Sequence, residues 1–83
     1  MKAIVKVRLK NGILDPQGKA VNNALHHLGF EAVENVRIGK YIELDLSETD
    51  PEKAVQIVEE SCKKLLANPV IEDYSYELLG DKE

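Results

Sequence analysis

Two aspartate-proline pairs, Asp15-Pro16 and Asp50-Pro51, constrain this chain more than any other feature, because each marks a helix start. The aspartate caps amides that have no intrahelical acceptor, and proline suits the first helical position. After the first pair, Ala20, Val21, Ala24, Leu25 and Leu28 form an apolar stripe at helical spacing. Gly29 then ends the helix in a left-handed conformation, with Phe30 folded back toward Leu25. After the second pair, Glu52 suits the helix dipole, and Ala54, Val55, Ile57, Val58, Cys62, Leu65 and Leu66 supply the apolar face. Pro69 closes this helix, since the residue before a proline is pushed out of helical geometry.

The remaining segments alternate with period two, the pattern of half-buried strands. In residues 3–9, Ala3, Val5, Val7 and Leu9 share one face, while Ile4, Lys6 and Arg8 share the other. Asn11-Gly12 follows as a turn. Val36 and Ile38 predict a strand leading into Gly39-Lys40, and Ile42, Leu44 and Leu46 predict its outgoing mate. A two-residue turn at Gly39-Lys40 pairs Ile38 with Tyr41, and the apolar faces then fail to match. A three-residue loop pairing Ile38 with Ile42 restores them, and burial of both faces, one by a partner chain, is the other solution. Residues 71–79 place Tyr74, Tyr76 and Leu78 on one face of a last strand, and residues 80–83 read as a frayed tail.

The order is β-α-β-β-α-β, which predicts an α+β, two-layer, ferredoxin-like sandwich with an antiparallel sheet and two helices in one domain, residues 1–83. The outward face of the first strand is basic (Lys2, Lys6, Arg8). Those of the third (Glu43, Asp45) and fourth (Asp73, Glu77) are acidic. Opposite charges on adjacent strands are favourable, so the basic strand is expected between the acidic ones.

A chain of 83 residues buries only about 60% of its unfolded surface, so self-association is the default expectation. A formal net charge of −4 argues against nucleic acid and anionic membranes as partners. One cysteine and no signal-peptide core or transmembrane-length apolar run point to the cytoplasm.

No residue set reads as catalytic, cofactor-binding or metal-binding. Cys62 lies on the apolar stripe and behaves as a small buried hydrophobe. His26 and His27 are adjacent, so on a helix they point about 100° apart and cannot share a metal as an i, i+4 pair does. Glu59 and Glu60 read as a solvated helix face, and Gly39-Lys40 lacks the surroundings of a phosphate loop. The base-stacking aromatics of RNA-recognition domains, the Cys-x-x-Cys loop of copper chaperones and the phosphate-gripping loop of acylphosphatases are all missing from the corresponding positions.

Residues 10–21, with Ala24-Leu25 and Leu28-Gly29-Phe30, resemble the opening of PurS, the small subunit of phosphoribosylformylglycinamidine (FGAM) synthase. Residues 36–44 and 68–74 resemble that family's hairpin and closing strand, so the likeness spans nearly the whole chain. The resemblance implies a non-catalytic subunit of a glutamine-dependent, ATP-consuming ligase of de novo purine synthesis. It implies a dimer or tetramer, with strands shared between protomers, that bridges a PurL-type synthetase and a PurQ-type glutaminase and supports ammonia transfer. No cofactor is expected on this chain, ATP and Mg being used by the synthetase. Asp15, Gly18, Arg37, Gly39, Lys40 and Tyr41 are the expected partner-binding residues. The alternative is a ligand-sensing domain of the ACT type, which shares the strand-helix order.

Overall fold

β1 (Lys2–Leu9) is the middle of the molecule, because its Ala3, Val5 and Val7 form the centre of the apolar core. A computed structural model of the chain describes residues 1–80. β2 (Gly39–Asp45) and β3 (Glu72–Leu79) flank β1, both antiparallel, in the order β2-β1-β3. The register places Val5 between Ile42 and Tyr76, and Ala3 between Leu44 and Leu78, so one sheet face is apolar over most of its length, with Lys40 beside Val7 at its end. On the other face Lys2 lies opposite Asp45 and Arg8 opposite Asp73, and Lys2 also approaches the Glu43 carboxylate at 3.7 Å. The basic strand thus sits between the two acidic ones, as the charge pattern predicts.

α2 (Pro51–Ser61) covers the apolar face. Ala54, Val58 and Cys62 recur every four residues, and all are fully buried. The helix widens into a π-helical turn over Cys62–Leu66, and the Ala67 amide donates back to the Cys62 carbonyl. The following loop is held by Asn68, whose carbonyl accepts from the Ile71 and Glu72 amides.

α1 (Pro16–His27) begins at Asp15-Pro16 and ends at Leu28, with Gly29 at φ +100° and the Phe30 amide donating to the Leu25 carbonyl. Start and stop fall where the sequence puts them, but the helix contributes no side chain to the core. Its sole buried residue is Gly18, while Leu28 and Phe30 are 72% and 57% exposed. The described residues measure 49 × 32 × 14 Å, with a radius of gyration of 16.4 Å. A compact chain of this length has about 12 Å. The excess arises because residues 10–38 leave and rejoin the sheet at the same end, near Leu9 and Gly39, and α1 projects beyond it as an arm.

The antiparallel α+β arrangement is as expected, with one strand fewer in the protomer. Residues 31–38 form no strand, and neither expected turn at Gly39-Lys40 exists. Gly39 pairs with Arg8 and Lys40 with Val7, so both are already strand residues of β2. Past Gly80, the expected tail lies outside the described residues.

Candidate functional site

The base of the arm gathers most of the residues that the sequence singled out. Asp15 is only 8% exposed, and its carboxylate caps α1 by accepting from the Gly18 amide at 2.9 Å through Oδ1. Oδ2 accepts from the Ile38 amide at 2.8 Å, which ties the helix start to the returning limb of the arm. Arg37 crosses the junction the other way, its Nη2 donating to the carbonyls of Leu9 and Lys10 at 3.1 and 3.2 Å. Its Nε stands 3.8 Å from Asp15 Oδ2. The Ile38 and Gly18 amides, helped by the Arg37 charge, hold the Asp15 carboxyl below its ordinary value. Gly18 is required by space: a Cβ there would lie 2.2 Å from the Val36 carbonyl oxygen.

Gly39 continues from this junction into β2, and the next two residues diverge. Lys40 lies on the α2 side of the sheet, where its Nζ donates to the Leu66 carbonyl at 3.5 Å and approaches Glu72 at 4.0 Å. Tyr41 is on the opposite face beside Lys6 and is 61% exposed. Asp15, Gly18, Arg37, Gly39 and Lys40 therefore cluster at one end of the sheet, with Tyr41 turned away from them. A shallow cleft of 210 Å³, lined by Asp15, Pro16, Ile38, Gly39, Lys40 and Glu72, opens here. The same end carries exposed apolar side chains, Leu14, Leu65 and Val70, at 73%, 82% and 79%. The Lys10 amide donates to the Ile71 carbonyl, which holds the start of the arm against the loop after α2.

One polar cluster was not legible in the sequence. Glu59, expected on a solvated face, is half-buried and accepts from Tyr74 Oη at 2.5 Å and Tyr76 Oη at 2.7 Å. The two rings stack at 6.5 Å. These hydrogen bonds lower the Glu59 carboxyl and push Tyr74 up to about 12. The period-two spacing of the tyrosines was a signal for a shared face, but nothing in the chain paired that face with Glu59. The cluster anchors α2 to β3. Burial pushes the neighbouring Cys62 thiol up, away from the reactive thiolate. Among the described residues no group of His, Cys, Asp and Glu is placed to hold a metal ion, and no helix is long and apolar enough to cross a membrane.

Comparison with known proteins agrees with this architecture. Residues 2–80 match the family described as PurS: Phosphoribosylformylglycinamidine (FGAM) synthase. The phosphoribosylformylglycinamidine synthase subunit PurS of Bacillus subtilis is 53% identical over 77 residues, covering 93% of this chain and 90% of that one. The crystal structure of Methanocaldococcus jannaschii PurS superposes with a TM-score of 0.86 at 44% identity, over 98% of both chains. A chain of the Thermotoga maritima PurLQS structure does so with a TM-score of 0.84 at 33% identity, over 94% of this chain and 95% of that one. With the family matched over residues 2–80 and the fold and length shared at this level, the chain belongs to the PurS family of phosphoribosylformylglycinamidine synthase.

Proposed function

We propose that this chain is the small, non-catalytic assembly subunit of FGAM synthase in purine biosynthesis. It bridges a PurL-type synthetase and a PurQ-type glutaminase. The observation that carries the reading is the family match across residues 2–80, together with the likeness to a chain of the Thermotoga maritima PurLQS assembly. The ligand-sensing alternative has no support beside this match.

The physical chemistry of the surface agrees with an assembly role. α1 leaves its apolar stripe uncovered, and α2 leaves Val55 and Ile57 about two-fifths exposed. Uncovered apolar stripes on a small chain are the surfaces that association buries. A second copy of the chain is the occupant we assign to the α1 stripe, giving a dimer or tetramer. The end of the sheet bearing Leu14, Leu65, Val70 and Lys40 then remains for the larger subunits, with Tyr41 as an aromatic contact on the outer face. Asp15, Gly18, Arg37 and Gly39 serve that surface from beneath by fixing the backbone that carries it.

Ammonia released into neutral water is largely protonated and loses its nucleophilicity. A subunit that seals the junction between glutaminase and synthetase therefore preserves the reactive form during transfer. This chain needs no cofactor for that task; ATP and Mg belong to the synthetase, and the assembly works in the cytoplasm. The test is glutamine-dependent FGAM formation by the two larger subunits with and without the chain. Activity that appears only on its addition supports the reading, and equal activity in its absence overturns it.

A further inference from the structure

We propose that Asp15, Gly18 and Arg37 form a rigid elbow that sets the direction of the α1 arm before any partner binds. The proposal rests on the reading of the chain as an assembly subunit for its biological purpose, but not for its geometry.

Among the described residues the arm joins the sheet through the two limbs at Leu9-Lys10 and Ile38-Gly39, and α1 contributes no side chain to the core. A segment attached in that way would pivot unless something held it. The elbow supplies links between different pairs of pieces. Asp15 joins the start of α1 to the returning limb through the Ile38 amide. Arg37 joins the returning limb to the outgoing one through the carbonyls of Leu9 and Lys10. Gly18 brings the first turn of α1 against the Val36 carbonyl, closer than any side chain would permit. One contact leaves a pivot and two leave a hinge axis, whereas links among all of these pieces remove the remaining rotation. At the far end, His26 Nε2 donates to the Val33 carbonyl and keeps the returning limb alongside the helix.

The groups involved suit a lock. Both carboxylate oxygens of Asp15 are occupied by backbone amides, and the nearby guanidinium keeps the group charged. Arg37 spends its Nη2 on the carbonyls of Leu9 and Lys10, at the end of β1. Ordering a mobile arm at the moment of assembly would cost conformational entropy, and an arm already fixed avoids that cost. The elbow therefore determines where the apolar stripe of α1 meets its cover.

The test compares the unmodified chain with Gly18→Ala, Asp15→Asn and Arg37→Ala. Amide hydrogen exchange is read at Ile38, Gly18 and the β1 residues, and small-angle scattering gives the radius of gyration across a concentration series. The expected result is exchange at Ile38 faster by on the order of tenfold or more, with β1 protection retained. The scattering profile should shift, the oligomer should dissociate or change size, and Arg37→Lys should recover part of the effect. Variants that keep the exchange, scattering and oligomer size of the unmodified chain overturn the proposal. Loss of β1 protection in all the variants also overturns it, since the elbow would then be inseparable from the core. Should the unmodified chain fail to support FGAM formation, the assembly reading falls, and the exchange and scattering data still decide the elbow.

Discussion

α1 and α2 open with the same Asp-Pro pair, yet Asp15 is buried and Asp50 is exposed. The Asp50 carboxylate accepts from one amide, that of Glu52, and caps its helix in the ordinary way. The Asp15 carboxylate caps its helix and also holds a backbone amide 23 residues away. The packing is reversed. α2 places Ala54 and Val58, and the π-helical turn after it Cys62, at zero exposure in the core, whereas α1 buries only a glycine. A cap specifies where a helix begins, and an apolar stripe specifies that a face will be covered. Neither says by which chain.

The sharpest way to break this contrast is to truncate one apolar residue on each helix. Val58→Ala leaves a void between α2 and β1 and is expected to cost about 2 kcal/mol of stability. Leu28→Ala should change the stability of the dissociated chain by less than about 0.5 kcal/mol, as at other exposed sites. Denaturant titration at low protein concentration measures both. At high concentration, Leu28→Ala should lower the melting temperature through lost association, because binding to the folded state raises apparent stability by mass action. Equal costs for the two changes at low concentration would mean that α1 packs within its own protomer.

The caps themselves come next. Asp50→Ala should cost about 1 kcal/mol, the usual value for an exposed N-cap. Asp15→Ala should cost more, because it strands the Ile38 amide as well as the helix start. Paired chemical denaturation of the two variants checks the order, and a smaller loss for Asp15→Ala would remove the long-range bond from the account.

This difference also explains what the sequence could and could not reveal. Helix starts, the Gly29 stop and the alternation of β1 are local signals, set by backbone geometry within a few residues. They were readable for that reason. The segment around Val36 and Ile38 alternates like a strand, but β1 claims Gly39 and Lys40, and Asp15 takes the Ile38 amide. Both competitors lie more than 20 residues away in the chain, so no local pattern announces them. The candidate site shows the same division. Its residues were legible as a group, but their inward roles were not, since Arg37 and Lys40 look like surface cations until their acceptors are seen.

Acid titration separates the two regions most finely. The ordinary values for Asp15 and Glu59 are 3.8 and 4.5, and both carboxyls are lowered in the folded chain. Each therefore binds its proton less tightly when folded than when unfolded. The stability each contributes is full above its ordinary value and is lost as pH falls through that value and below. The Asp15 share belongs to the elbow and should appear as faster exchange at Ile38. The Glu59 share belongs to the contact between α2 and β3, where Tyr74 and Tyr76 donate to it.

Replacing both tyrosines by phenylalanine should return Glu59 toward its ordinary value and flatten only the sheet component of the acid transition. The Ile38 signal should be unchanged. The same double variant should act at the alkaline end with the opposite sign. Tyr74 is raised from 10.0 to about 12, so the stability it contributes is full below pH 10 and is lost as pH rises toward 12. Unfolding followed from pH 2 to pH 12 reads both limbs in one series. If the phenylalanine variant altered the Ile38 exchange as strongly as the sheet, the two regions would be one cooperative unit, and the contrast between arm and core would not survive.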